Sequence, residues 1–163
     1  MPRLAVCNTS PLQYLHQIDQ IDLLPRFYTE VIIPPAVQRE LTVGRSIGVS
    51  LPDIAGLCWV HMCAPTQGRP FVLATTLGDG EREALALAVE TPDSLLIMDD
   101  GLARRVGRLL GLTMTGTVGV LARAKREGLI ARLAPMLEQL EDLGFRLSVE
   151  AKTTALRLVG ERS

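Results

Sequence analysis

Apolar residues in this chain come in short, nearly unbroken runs, and longer stretches with helical spacing lie between them. The runs are RLAVC at residues 3–7, EVIIP at 30–34, LCWVHM at 57–62, SLLIM at 94–98 and LTMTG at 112–116. Short apolar runs without polar alternation, SLLIM above all, read as strands buried on both faces. LCWVHM, interrupted by His61, reads as a strand near a sheet edge. The segments between predict helices. Asn8-Thr9-Ser10-Pro11 opens one that reaches about Ile18, with Thr9 or Ser10 as cap and Pro11 suited to the first helical position. A second helix is expected over residues 20–28 and a short one over PAVQREL, residues 35–41. GDGEREALALAVE, residues 78–90, starts on a glycine turn with acids that favour a helix N-terminus. GLARRVGRLLG and TVGVLARAKREGLI are helical, and two more helices, at about 132–143 and 148–159, flank a turn at Gly144. Residues 42–56 and 64–77 read as loops.

Strands alternating with helices predict an α/β domain of three layers, α/β/α, around a mostly parallel central sheet. The 163 residues suit a single domain, 1–163, with a core over about 3–130 and closing helices over about 131–160. In such sheets ligands bind beyond the carboxyl ends of the strands. Asn8 follows the first strand, and Asp99 and Asp100 follow SLLIM, so parallel strands bring all three to one edge. Glu40 lies in the helix after the second strand, and Glu81 and Glu83 open the helix after the long loop.

Carboxylates gathered at one place repel by ~4 kcal/mol per pair at 4 Å and an effective dielectric of 20. They raise one another's pKa or hold a cation. Oxygen ligands without neighbouring Cys or His select Mg²⁺ or Mn²⁺ over zinc. Such an ion suits phosphodiester hydrolysis, because it makes water more acidic and stabilises charge on phosphate. Each acid also has a purely structural reading: Glu81 as a partner of the helix dipole, Glu83 as a solvated residue, Glu40 paired with Arg39, and Asp99 or Asp100 as a helix cap. The adjacent aspartates after a buried strand are the hardest to explain structurally.

Composition narrows the function classes. Hydrophobic residues make up 47% and charged residues 21%, as in a folded protein. Aromatics at 4% argue against rows of base-stacking rings. The net charge of −1 gives no overall signal for nucleic acid. Arg104, Arg105, Arg108, Arg123, Lys125, Arg126 and Arg132 nevertheless form a stretch with Glu127 as its sole acid, either solvated helix faces or a phosphate-facing patch. Three cysteines, an odd and sparse set, fit a reducing compartment. Cys58, His61 and Cys63 lack a fourth zinc ligand nearby. With no signal peptide and no membrane-length apolar run, the expected location is the cytoplasm.

VCNTSPLQYL, VIIPPAVQREL, GDGEREALALA, LLIMDDGLARRVGRLLG and MTGTVGVLARAKREGLI, taken in order, resemble the PIN-domain family, specifically an uncharacterised prokaryotic PIN-like subgroup related to VapC-type toxins. They cover most of residues 4–130, and the tail APMLEQLEDLGFRLS is similar to that subgroup's C-terminal segment. The resemblance implies a Rossmann-like α/β/α fold and Mg²⁺- or Mn²⁺-dependent ribonuclease chemistry on RNA. It implies an acid after the first strand, a Glu after the second, an acid opening a later helix and an Asp after the fourth strand. Those positions fall on Asn8, Glu40, Glu81 and Asp100, with Asp99 adjacent. Thr115 or Thr117 matches a small hydroxyl residue near such sites. Thr9, Ser10, Arg104 and Arg105 complete the residues expected to meet substrate. A homodimer and a cognate antitoxin are further implications. The departure is Asn8, whose amide oxygen can ligate a cation but brings no charge. A binding module without turnover is therefore the alternative to the ribonuclease.

Two other site types are set aside. A phosphorylation receiver carries its aspartate pair after the first strand, whereas here the pair comes late. GDG at 78–80 lacks the third glycine of a dinucleotide fingerprint.

Overall fold

A computed structural model describes residues 4–67 and 76–162 of the chain. Five strands, β1 (Leu4–Cys7), β2 (Glu30–Ile33), β3 (Val60–Met62), β4 (Leu95–Ile97) and β5 (Met114–Thr115), form one sheet in the order β3-β2-β1-β4-β5. Every pairing is parallel, and β3 is at an edge as its His61 suggests. The helices are α1 (Thr9–Gln17), α2 (Leu23–Phe27), α3 (Pro35–Ser46), α4 (Asp79–Glu90), α5 (Gly101–Leu109), α6 (Thr117–Arg126), α7 (Ala134–Asp142) and α8 (Val149–Leu158).

From β1 the chain builds outward through β2 and β3, then returns past β1 to add β4 and β5. The strand order therefore reverses between β1 and β4. At such a switch point the connections leave in opposite directions and a crevice opens at the carboxyl ends. The Asn8 N–H donates to the Ile97 carbonyl at 3.1 Å, which fixes the two strand ends side by side at that crevice.

Alternation along the strands divides the core. Ala5, Cys7, Val31, Ile33 and Ile97 pack with Leu12, Leu15, Leu24, Leu121, Leu133, Leu137, Leu140 and Leu156. Val6, Ile32, Leu96 and Met98 pack with Ala84, Leu85, Leu87 and Ala103 of α4 and α5. Successive strand residues point to opposite faces, so a central strand needs apolar residues at every position. That explains the unbroken runs. It also makes α7 and α8 part of the main core.

Three local expectations change. Residues 42–46 continue α3, where a loop was expected: Leu41 is buried, and Gly44, though a poor helix former, stays helical where Leu51 packs so close that a Cβ would clash with it. Gly48 ends the helix at φ +89°, its N–H donating to the Arg45 carbonyl. The second helix is one and a half turns long rather than spanning 20–28. Pro11 is the third residue of α1, whose cap position is Asn8 and not Thr9 or Ser10. Most of the loop over 64–77 lies outside the described residues; at its start, Thr66 and Gln67 donate backbone N–H groups to Glu90. Among the described residues no helix is long and apolar enough to cross a membrane.

Candidate functional site

The residues after β1 and β4 meet at the crevice with different degrees of constraint. Asn8 is 3% exposed, and its side chain does not cap α1. Its Oδ1 is the one buried side-chain nitrogen or oxygen among the described residues with no hydrogen-bond partner. A buried amide oxygen left unpaired costs about 1–3 kcal/mol, so a cavity-facing one marks a place for a ligand or water.

Thr9 and Ser10 turn their hydroxyls toward acids. Thr9 donates to Glu40, and Ser10 donates to Asp99 at 3.2 Å. Asp99 is the most heavily bonded acid of the group. It also accepts from the Thr117 N–H at 2.8 Å and the Thr117 hydroxyl at 2.6 Å, so it clamps the start of α6 to the end of β4. Burial pushes its carboxyl above the ordinary range, and the donors from Thr117 and Ser10 together with the Arg104 charge only partly offset this. Gly116 leaves room for the clamp: a Cβ there would stand 2.8 Å from Asp99 Oδ1. Asp100 is exposed and caps α5 through Oδ1, which accepts from the Ala103 N–H at 2.8 Å. Its second oxygen is left for other partners.

The glutamates arrive on helices. Glu40, on α3, accepts from the Gly80 N–H at 3.0 Å as well as from Thr9. A Cβ at position 80 would lie 2.7 Å from both Glu40 oxygens, so glycine is what lets this carboxylate reach the start of α4. Glu81, in the first turn of α4, folds back over Gly78; a Cβ there would be 2.5 Å from its Oε2. Burial, with added repulsion from Asp100 and Glu40, raises the Glu81 carboxyl above the ordinary range, against backbone donors at Glu81 and Gly78. Glu81 is thus within electrostatic reach of Asp100 and of Glu40. Glu83 is neither part of this group nor merely solvated: it accepts from the Ala36 N–H at 2.5 Å and ties α4 to the first turn of α3.

A cavity of about 730 Å³ opens over these groups, within the size range of ligand sites. Asn8, Ser10, Glu81, Asp99 and Asp100 are part of its lining. Another part, which the sequence did not point to, is the Gly144–Ser148 segment with Ala151 of α8. The dipeptide Phe145-Arg146 directly after the Gly144 turn was the available signal. Glu40 lies outside this cavity, on an adjoining groove lined by Ala36, Arg39 and Asp79.

Several expected substrate contacts are engaged elsewhere. Arg104 donates to the Met98 carbonyl at 2.9 Å. Arg123 stacks over Phe27, 4.1 Å from the ring centre, and pairs with Glu127 at 2.8 Å. Lys125 donates to the Ala131 carbonyl. Arg105 is exposed on α5 and does not line the cavity. Thr117 reaches the site through Asp99, whereas the Thr115 hydroxyl is packed against Gly119 of α6.

The donor set consists of carboxylates and an amide oxygen, the chemistry a hard divalent cation selects. Among the described residues no three His, Cys, Asp or Glu side chains stand close enough together to enclose an ion. A closed carboxylate cage is not what Mg²⁺ requires, since it retains several waters and typically takes one or two carboxylates directly. The unpartnered Asn8 oxygen, the unbonded second oxygen of Asp100 and Glu81, all from residues lining one cavity, are donors of the kind that partly hydrated binding uses.

Comparison with known proteins agrees with the architecture. No curated protein and no solved structure matches the chain. A family model described as a PIN domain matches residues 4–161, nearly the entire sequence, and the chain belongs to the PIN-domain family.

Proposed function

We propose that the protein is a divalent-metal-dependent endoribonuclease that hydrolyses RNA phosphodiester bonds. PIN domains are nuclease domains, and family membership supports nuclease chemistry in general. The observation that carries the finer reading is the buried, unpartnered Oδ1 of Asn8, a residue that lines one cavity together with Glu81, Asp99 and Asp100 at the strand-order switch point.

Asp100, Glu40 and Glu81 would hold Mg²⁺ or Mn²⁺, with Asn8 and Asp99 in support. When bound, the cation makes water more acidic and stabilises negative charge on phosphate. Asn8 Oδ1, as an acceptor, orients a water O–H at the crevice. Asp99, held by Thr117 and Ser10, keeps the β4 and α6 ends in register so that Asp100 and Asn8 stay adjacent. Thr9 fixes the Glu40 carboxylate beside α4. Incubating the purified protein with structured RNAs and Mn²⁺ tests the proposal. The expected result is cleavage that EDTA abolishes and Asp100→Asn removes; cleavage indifferent to both would sink it.

One observation favours a second reading, a PIN-like module that binds nucleic acid or protein without turnover: the acids do not close into a metal cage, and Asn8 adds no charge. Asn8→Asp separates the two. In the nuclease reading it strengthens Mn²⁺ binding and raises cleavage. A binding module gains metal affinity without cleavage.

The likeness to VapC-type toxins extends the nuclease reading to a cytoplasmic toxin, a homodimer neutralised by a cognate antitoxin. Producing the protein alone in a bacterial host is then expected to arrest growth, and Asp100→Asn to relieve the arrest. Sedimentation of the purified protein checks the dimer.

A further inference from the structure

The cavity's lining carries both signs of charge. The strand ends and α4 supply the carboxylates of Glu81, Asp99 and Asp100, while the C-terminal segment supplies Arg146, the cavity's one lining cation among the described residues. A phosphodiester strand entering the cavity meets repulsion from the first group and attraction from the second. Arg146 is exposed, and among the described residues it makes no hydrogen bond or ion pair, unlike Arg104, Arg123 and Lys125.

The backbone that presents it is fixed from both sides. Gly144 turns at φ +90°, and the Phe145 N–H donates to the Leu140 carbonyl at 3.0 Å. The Phe145 ring meets Tyr14 of α1 edge-on, with ring centres 5.0 Å apart. Ser148 caps α8 by accepting from the Ala151 N–H at 3.1 Å, and Ala155 and Leu156 bury that helix in the core. A free guanidinium on an anchored segment offers its whole donor fork to an anion, and with the backbone already fixed only the side chain's own rotamers are left to order on binding. Asn8, which lines the same cavity, has a buried side-chain oxygen with no partner, an independent sign that a polar group is wanted there.

We infer that Arg146 is a substrate-binding residue that takes a phosphate of the nucleic-acid strand next to the one held at the acids. The C-terminal helices thereby complete the substrate site. The assignment rests on the nuclease reading for the identity of the strand, and the basic stretch of α5 and α6 is not needed for it.

The test measures fluorescence anisotropy of a labelled single-stranded oligoribonucleotide of about 12 nucleotides, within the usual span of strand-binding sites. Ca²⁺ replaces the catalytic ion, and salt is varied. Arg146→Gln is expected to weaken binding about five- to tenfold at low salt, equally for two unrelated sequences. The slope of log affinity against log salt should become shallower by about 0.7, the loss of one phosphate contact on a single strand. Arg146→Lys should recover part of the affinity, since it restores charge without the fork. Unchanged strand affinity in Arg146→Gln overturns the assignment, as does a loss that ignores salt. Tighter Mn²⁺ binding with unchanged strand affinity also overturns it, because Arg146 is then the acids' internal counter-charge. If the wild type binds the strand with this Arg146 dependence but never cleaves RNA, the nuclease reading falls and the assignment stands. If it cleaves with a KM that Arg146→Gln leaves unmoved, the assignment falls and the nuclease reading stands.

Discussion

The junction of β4 with α5 and the contact of α3 with α4 both present acids near the carboxyl ends of the strands, Glu40 on its own groove, and they hold them by different means. After β4, Asp99 and Asp100 are gripped by backbone donors: Thr117 for the first and Ala103 for the second. Between α3 and α4, Glu40 and Glu81 sit on long side chains that fit only because Gly80 and Gly78 offer no Cβ. The first arrangement is scaffold, since moving those aspartates means moving helix termini. The second is more adjustable, since moving those glutamates breaks side-chain hydrogen bonds, to Thr9 and Gly80 in the case of Glu40, but shifts no helix terminus. A site that draws oxygen ligands around a cation needs both a fixed reference and ligands free to adapt.

If this contrast is right, Asp100→Asn has the largest functional effect and a small structural one. Asparagine caps a helix about as well as aspartate, so stability should change by less than about 1 kcal/mol. Cleavage should nonetheless fall about 100-fold or more as the free carboxylate oxygen is lost. Parallel melting and cleavage measurements decide it, and a matching loss in both would blur the distinction between the two aspartates.

Asp99→Ala should invert that pattern, because it leaves the Thr117 N–H, the Thr117 hydroxyl and the Ser10 hydroxyl without their acceptor. A loss of about 2–4 kcal/mol is expected in urea unfolding. A loss below 1 kcal/mol would mean that Asp99 is not part of the scaffold.

Gly80→Ala probes the adjustable side. The new methyl displaces the Glu40 carboxylate, while alanine favours the helix, so stability should stay within about 1 kcal/mol of wild type. Mn²⁺ affinity, read by calorimetry, should drop several-fold. Unaltered affinity would remove Glu40 from the cation's ligands.

The smallest effect is expected far from the crevice. Burial pushes the Glu161 carboxyl up, but the N–H groups of Leu133 and Ala134 and the charges of Lys125 and Arg132 outweigh it, so the net shift is downward from 4.5. A carboxyl with a lowered folded-state pKa contributes stability above its unfolded value and loses it as pH falls through the folded one. Glu161→Gln should therefore lower the melting temperature slightly at pH 7, and the difference should vanish below the folded pKa, in the acid range under 4.5. A difference that persists in acid would place the contribution in packing instead.

Patterning alone made the strands legible, because a parallel sheet covered on both faces leaves no room for polar alternation, as Leu96, Ile97 and Met98 show. It also placed Asn8, Asp99 and Asp100 at one edge. Boundaries set by competing local bonds were less legible. Residues 42–46 extend α3 because Gly48 provides the stop, and Thr9 and Ser10 bond acids from distant segments and leave α1 uncapped.

By itself, then, the order of apolar and polar residues determined the layered α/β architecture and the sheet edge where chemistry gathers, since both follow from periodicity and topology. Only the tertiary structure decided which acid is clamped and which is free, that Glu83 serves α3, and that Phe145 and Arg146 close the cavity. Those outcomes depend on contacts between residues far apart in the chain, such as the edge-on rings of Tyr14 and Phe145, 131 positions apart. No local pattern encodes such contacts, because each partner's neighbours in sequence are indifferent to the other.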